Sequence, residues 1–348
     1  MTSRSVLSSK ASSPRPPRHP FWTHHKVYGI IATAGAALAF FLSIPLFLNW
    51  TQEFEIRSAP QSFPVTVNPT TKTITESPSV NAMLSSSATP FTAAVLNASD
   101  VISWLYAAIA STPWYEALAA TDTRYVVIAP GARKEQIAAA FGRVLGWDKT
   151  QQNAFLADTA LRSEGTISPG TYVIGGGSTP STIEDTLSQR FNDIVLSHYA
   201  TSTAKVVPLS EALTIASMIQ RETKDPNDMR IISGIIWNRL FAGMKLQIDS
   251  TVQYAKANKL AAAGIMSNWW PAVRPADLSI KSPYNTYVAT SLPPAPISEP
   301  SVYAILAALN PVQTPCYFYF HDANHVLHCS ATYAEHVALL KKYYGQGK

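Results

Sequence analysis

From Val27 to Leu48 the chain runs through 22 residues without a charged side chain. At the helical rise such a run is about 33 Å long, enough to cross the hydrocarbon core of a bilayer, and it predicts a transmembrane helix over 27–48. A cleaved signal peptide is the competing reading. Its apolar region normally spans about 7–15 residues and closes on small residues, whereas this run closes on Phe47, Leu48, Asn49 and Trp50. Gly29, Gly35 and Pro45 are residue types that membrane helices tolerate.

The net charge of +5 comes from 27 bases and 22 acids. Residues 1–26 hold five of the bases, Arg4, Lys10, Arg15, Arg18 and Lys26, and no acid, which leaves 22 bases against 22 acids in the rest of the chain. The folded part is therefore neutral, and no nucleic-acid surface is expected. Because the positive flank precedes the apolar run, residues 1–26 read as a disordered cytoplasmic tail and residues 49–348 face outward. Only Cys316 and Cys329 are present, in a compartment that permits disulfides.

Residues 49–121 read as a linker and an apolar helical segment, the linker being rich in Ser, Thr and Pro over 51–98, with weak strands in the threonine alternation from Thr66 to Thr75. The apolar segment runs from Val101 to Ala120, broken at Pro113. Tyr125 to Ile128 predicts a strand stopped by Pro130-Gly131, and Ile137, Ala140, Phe141 and Leu145 then repeat at helical spacing. A strand at Tyr172 to Ile174, a turn at Gly175 to Gly177 and a helix over about 181–197 complete a small α+β module over 122–200. The three glycines lack the lysine and spacing of a nucleotide-binding loop.

Pro208 to Thr223 predicts a helix with proline at its start. Ile215, Met218 and Ile219 fall seven, four and three residues before Glu222 and share its face, which puts a carboxyl at the end of an apolar stripe. Burial there raises a carboxyl pKa toward what a general acid needs near neutrality. The alternative is a Glu222 turned to solvent or paired with an arginine.

A second helix from about Met229 to Phe241 buries its isoleucines, brings Asn238 and Arg239 close to that side and stops at Gly243. Residues 244–249 alternate as a short strand, with Gln247 and Asp249 on the polar face, toward a ligand or toward solvent. Ser282 to Tyr287 and Leu292 to Ile297 are turn and polyproline-like segments. Their tyrosines and amides suit either the wall of a sugar site or a rigid structural loop.

Taken in order, Ala216-Ser217-Met218-Ile219-Gln220-Arg221-Glu222-Thr223, Gly234 with Asn238-Arg239-Leu240, Gly243-Met244, Leu246-Gln247 with Asp249 and Thr251-Val252, and Ser282 to Tyr287 followed by Leu292-Pro293-Pro294 resemble a known pattern. It is that of the endolytic murein transglycosylases of the YceG-like family, and the resemblance covers about residues 122–340. Glu164-Gly165 to Pro169-Gly170-Thr171-Tyr172 is similar to the family's link from a LysM-like module to the catalytic domain. The chain departs from the pattern at Gln220, where many members carry another glutamate. It also departs at Asp228 and Met229, at Ser250 in place of a proline, and at Ser291 and Ala295 in place of glycines.

The resemblance implies an α+β fold class: an N-terminal transmembrane helix, a small LysM-like α+β module at 122–200 and an α+β catalytic domain at 201–348. It places the catalytic glutamate on Glu222, acting without a cofactor as acid and then base. The bond cut joins N-acetylmuramic acid to N-acetylglucosamine, and 1,6-anhydro ends result. Asn238, Gln247, Asp249, Tyr284, Asn285 and Tyr287 become candidate substrate-binding residues. The implied partners are peptidoglycan glycan strands, the membrane and penicillin-binding peptidoglycan synthases, at the periplasmic face of the inner membrane. A non-catalytic peptidoglycan-binding scaffold and a hydrolytic muramidase are the alternatives. A second carboxylate such as Asp249, suitably spaced from Glu222, would favour hydrolysis.

His321, His325, His328, His336 and Asp322 follow no established zinc spacing, so no metal is expected. In a hairpin of Tyr317–Phe320 with Val326–His328, pairing Phe320 with His325 sets Cys316 opposite Cys329, within reach of a disulfide. Two buried thiols are the alternative.

Overall fold

The computed structural model describes residues 21–87, 105–110, 112, 115, 122–160, 163–265 and 268–345. The chain divides into two units, Met1–Leu46 and Phe47–Lys348. Helix α1 covers Phe21–Arg57 and, from Tyr28 onward, is long and apolar enough to cross a membrane.

Strands β1 (Val67–Asn68) and β2 (Thr73–Ile74) pair antiparallel, and α2 (Pro78–Ser87) follows. The segment expected as a linker is therefore partly built into the fold. Phe63, Val67 and Leu84 are buried in the main core, and Thr66 N donates to Leu309 O at 3.0 Å. Their apolar side chains are too widely spaced to show a period, so composition alone reads the segment as a spacer. Most of the apolar stretch from Val101 to Ala120 lies outside the described residues.

Next comes a unit of two strands and three helices. β3 (Thr123–Ile128) pairs antiparallel with β4 (Gly170–Gly175), Val126 opposite Tyr172. With α3 (Lys134–Leu145), α4 (Lys149–Ala160) and α5 (Pro180–Ile194) they enclose Phe141, Phe155, Tyr172, Ile183 and Leu187. Gly146, with φ +67°, ends α3 in the left-handed position that glycine takes without strain. Helix α4 escapes sequence reading because its polar residues leave little apolar periodicity.

The main core belongs to the helices after the short α6 (Thr201–Val206). α7 (Leu209–Glu222) buries everything from Ala212 to Ile219. α8 (Pro226–Phe241) starts on Asp225, whose carboxylate accepts from Asn227 N and Asp228 N. α10 (Val302–Leu309), apolar nearly throughout, packs on both, and Trp237 Nε1 donates to Ala308 O at 2.9 Å. Gly234 permits this approach, since a Cβ there would stand 2.2 Å from Val312 O.

Between α8 and α9 (Asp249–Ala262), residues 244–248 are not a strand. Leu246 and Ile248 are buried and Lys245 and Gln247 exposed, as the alternation predicts, but no ladder forms. Arg239 binds the carbonyls of Lys245 and Leu246, Gln247 N donates to Thr286 O, and Gln247 turns to φ +52°. Asp249 consequently opens a helix.

The C-terminal hairpin pairs β5 (Phe318–His321) with β6 (Leu327–Ser330), and α11 (Tyr333–Tyr344) follows. Its register sets Tyr319, not Cys316, opposite Cys329. Cys316 lies on the bend before β5 and reaches Cys329 from there, with the disulfide formed and the Cα atoms 5.8 Å apart.

Candidate active site

The apolar face of α7 drives the helix into the core, and its last residue, Glu222, comes out in the lining of a pocket of about 590 Å³. That volume falls in the range of small-ligand sites. Ser250 Oγ donates to Glu222 Oε1 at 3.0 Å, and the Tyr319 hydroxyl donates to Oε2 at 3.1 Å. Ser250 sits in the first turn of α9, at a position where the family pattern has a proline that cannot donate.

Burial pushes the Glu222 carboxyl above its ordinary range, the bonds from Ser250 and Tyr319 pull it down, and the charge of Asp249 pushes it up again. Burial thus favours the neutral acid more than at an exposed carboxyl, while two hydroxyls stand ready to stabilise the carboxylate. Burial raises the Tyr319 phenol further still, so it remains a donor.

Gln247, Asp249 and Tyr287 line this pocket. The Tyr287 hydroxyl donates to Asp249 Oδ1 at 2.7 Å. Asn238, Tyr284 and Asn285 are not among its lining residues, because each is used inside the protein. Asn238 Nδ2 donates to Thr314 O and Cys316 O and holds the start of the hairpin. Asn285 is fully buried, donates to Leu278 O and Ile280 O, and accepts from Tyr287 N, so it shapes the turn that presents Tyr287. Tyr284 packs on Tyr254 with ring centroids 4.7 Å apart.

Arg239, Phe318, Tyr319, His321, Tyr333 and His336 also line the pocket and were not expected there. The alternation within Phe318–His321 carries a signal for Tyr319, but only a known register turns it toward Glu222. Ser250 had no signal beyond its departure from the family pattern. Among the described residues no cluster of three potential metal ligands gathers. His321 pairs with Asp228 and His328 with Asp322, at 3.2 and 2.9 Å.

The YceG-like family model matches residues 96–342. The endolytic murein transglycosylase of Bacillus subtilis (strain 168) is 29% identical over 244 residues, which cover 63% of this chain and 64% of that protein. The endolytic murein transglycosylase of Streptococcus pneumoniae serotype 2 (strain D39 / NCTC 7466) is 29% identical over 161 residues, 46% of this chain and 28% of that protein. The crystal structure of a YceG-like protein from Listeria monocytogenes matches with a TM-score of 0.53 at 25% identity, covering 62% of this chain and 75% of that one. The chain therefore spans less than a third of the pneumococcal relative and just under two thirds of the Bacillus one. The family match takes in more than half of the chain, including α7, α8 and the hairpin that build the pocket, and the chain belongs to the YceG-like family.

Proposed function

We propose that this chain is a membrane-anchored lytic transglycosylase that cuts peptidoglycan glycan strands internally, with Glu222 as its acid and base. The observation that carries this reading is a half-buried glutamic acid lining a pocket, held by two hydroxyl donors. The name borne by the Bacillus and pneumococcal relatives supports the substrate class.

Protonated Glu222 donates to the oxygen linking N-acetylmuramic acid to N-acetylglucosamine as positive charge develops at the muramyl C1. The bond from C1 to that oxygen breaks, and Ser250 and Tyr319 take up the charge left on the carboxylate. The muramyl O6 then bonds to C1 and gives its proton to Glu222. An anhydro end forms, the acid is restored and no water is consumed. Asp249 carries the rival reading: it shares the pocket, and an activated water beside it would give ordinary hydrolysis.

α1 anchors the chain in the inner membrane, the unit at 122–200 acts as a LysM-like glycan-binding module, and the enzyme works beside penicillin-binding synthases in the periplasm. Mass spectrometry of digested sacculi separates the readings. Anhydro ends are expected, reducing ends would make the chain a muramidase, and uncut strands would leave a scaffold.

A further inference from the structure

The proposed reaction uses Glu222, Ser250 and Tyr319 and leaves the guanidinium of the pocket without a task. Arg239, near the end of α8, is only 6% exposed. A guanidinium is almost never buried so far without a partner for its charge. Its Nε donates to Tyr317 O at 2.6 Å, and its Nη1 donates to Leu246 O at 2.6 Å and Lys245 O at 3.2 Å. A long contact reaches Gln247 Oε1 at 3.5 Å. These acceptors orient the group and leave its charge uncompensated.

No ion pair among the described residues includes Arg239, and its Nη2 makes no hydrogen bond. The phenols of Tyr319 and Tyr287 are the groups that act on its charge, and Asp249 is engaged by the Tyr287 hydroxyl. The Phe318 ring covers one face, with its centroid 5.1 Å from the guanidinium carbon. His336 stands against the same ring at 5.6 Å. Burial and the charge of Arg239 hold the His336 imidazole below its ordinary range, and its Nδ1 is buried without a partner. Among the described residues Arg239 is thus the one guanidinium or ammonium group lining the pocket.

We infer that Arg239 receives a carboxylate of the substrate, carried on the substituent at O3 of the muramyl sugar. This rests on the glycan reading above. The sugar rings of such a strand are uncharged, and its acids hang from the lactyl ether: the lactyl carboxylate where the peptide has been removed, or the carboxylates of the stem where it remains. Either source belongs to the ring whose C1 meets Glu222. A pre-oriented guanidinium with a free arm binds such an anion strongly and with little loss of freedom. Because glycan strands alternate, and only every second sugar bears this substituent, the contact also selects which of the two linkages is presented to the acid.

The test reads binding apart from cleavage. Strands with intact stems and strands stripped to the lactyl carboxylate are each compared with their methyl amides. All are titrated against the full chain carrying Glu222→Gln, and all are offered to the unmutated chain with anhydro ends counted. Acid strands are expected to bind at least about tenfold more tightly than their amides, and the arm that shows the loss identifies the source. Arg239→Gln alters fold and charge together, since its hydrogen bonds hold Tyr317, Lys245 and Leu246. His336→Glu instead sets a carboxylate beside an intact Arg239. It is expected to abolish the discrimination while unfolding stays cooperative, and His336→Gln to keep it. Equal affinity for acid and amide in both arms overturns the subsite, whatever the cleavage assay reads. Discrimination without any cleavage supports the subsite and strikes the transglycosylase reading instead.

Discussion

Glu222 and the pair Glu164–Glu299 are all pushed above the ordinary carboxyl range by burial, yet their surroundings differ in kind. Glu299 is wholly buried and Glu164 is 4% exposed, and neither lines the pocket. The two carboxyls act on each other, and the charge of Glu164 pushes Glu299 up further after burial. Glu299 Oε1 is buried without a hydrogen-bond partner. Glu299 Oε2 accepts from Ile167 N at 2.8 Å, and Glu164 Oε2 from Lys134 N at 3.2 Å. The pair thereby ties the start of α10 to the unit at 122–200. An ionised Glu299 would leave Oε1 without a donor, whereas the hydroxyls on Glu222 hold on to the carboxylate. A raised pKa therefore reports burial, and only open space and donors to the ionised form make an acid that can give up a proton and take it back.

The sharpest break of that comparison is a pair of amide substitutions. Glu222→Gln is nearly isosteric and cannot donate, so cleavage of sacculi should fall by at least about 10²–10⁴-fold with the fold unchanged. Glu164→Gln should keep the unmutated rate. If both abolish cleavage in folded protein, the pocket acid is not special.

Tyr319→Phe removes a donor to the carboxylate and should cost about tenfold in kcat. The bond lowers the Glu222 pKa, so its loss raises it. An enzyme active with Glu222 protonated loses rate as pH climbs through that pKa, so the alkaline limb of the kcat profile should move to higher pH in the variant. A limb that stays in place would show that Tyr319 does not act on Glu222.

The buried pair should read out in stability instead. Burial raises Glu164 from 4.5 to about 7, so its contribution is complete below about pH 4.5 and is lost as pH rises through about 7. Arg133, Lys134 and Glu135 are the other charges that act on it, with desolvation dominating. Melting temperature should therefore fall between about pH 5 and pH 8, and Glu164→Gln should flatten the slope. A flat profile in the unmutated chain would mean that the Glu164 carboxyl is not raised by folding.

The sequence makes the elements around Glu222 legible and hides most of its contacts. Ile215, Met218 and Ile219 share its helical face, and such a period is local information. Gln247, Asp249 and Tyr287 also stand out, because exposed polar residues in a constrained segment have few other uses. Asn238 and Asn285 look the same in one dimension, and only the folded chain shows their amides consumed by carbonyls. Tyr319 depends on a hairpin register that differs by three residues from the one obtained by centring the turn. Glu299 meets Glu164 across 135 residues, which no period can reveal.

The smallest expected effect on cleavage concerns the disulfide between Cys316 and Cys329. It closes a loop of sequence separation 13. Closure of that size is worth about 3 kcal/mol through the unfolded chain, so reduction should lower the melting temperature by several degrees. Cleavage should change little, because the start of β5 is fixed a second time. Asn238 Nδ2 holds Thr314 O and Cys316 O, and Arg239 Nε holds Tyr317 O, two residues before Tyr319. With either clamp in place Tyr319 stays on Glu222. Leaving only the Arg239 bond should not be mild: Asn238→Ala followed by a dithiol is expected to cost more than either change alone, up to the loss seen with Tyr319→Phe. Thiol labelling in denaturant fixes the redox state of each sample before the assay. If reduction of the unmutated chain alone costs as much as Tyr319→Phe, the disulfide and not the amide sets Tyr319, and the donor side of the Glu222 pocket is redox-sensitive where the Glu164–Glu299 pair is not.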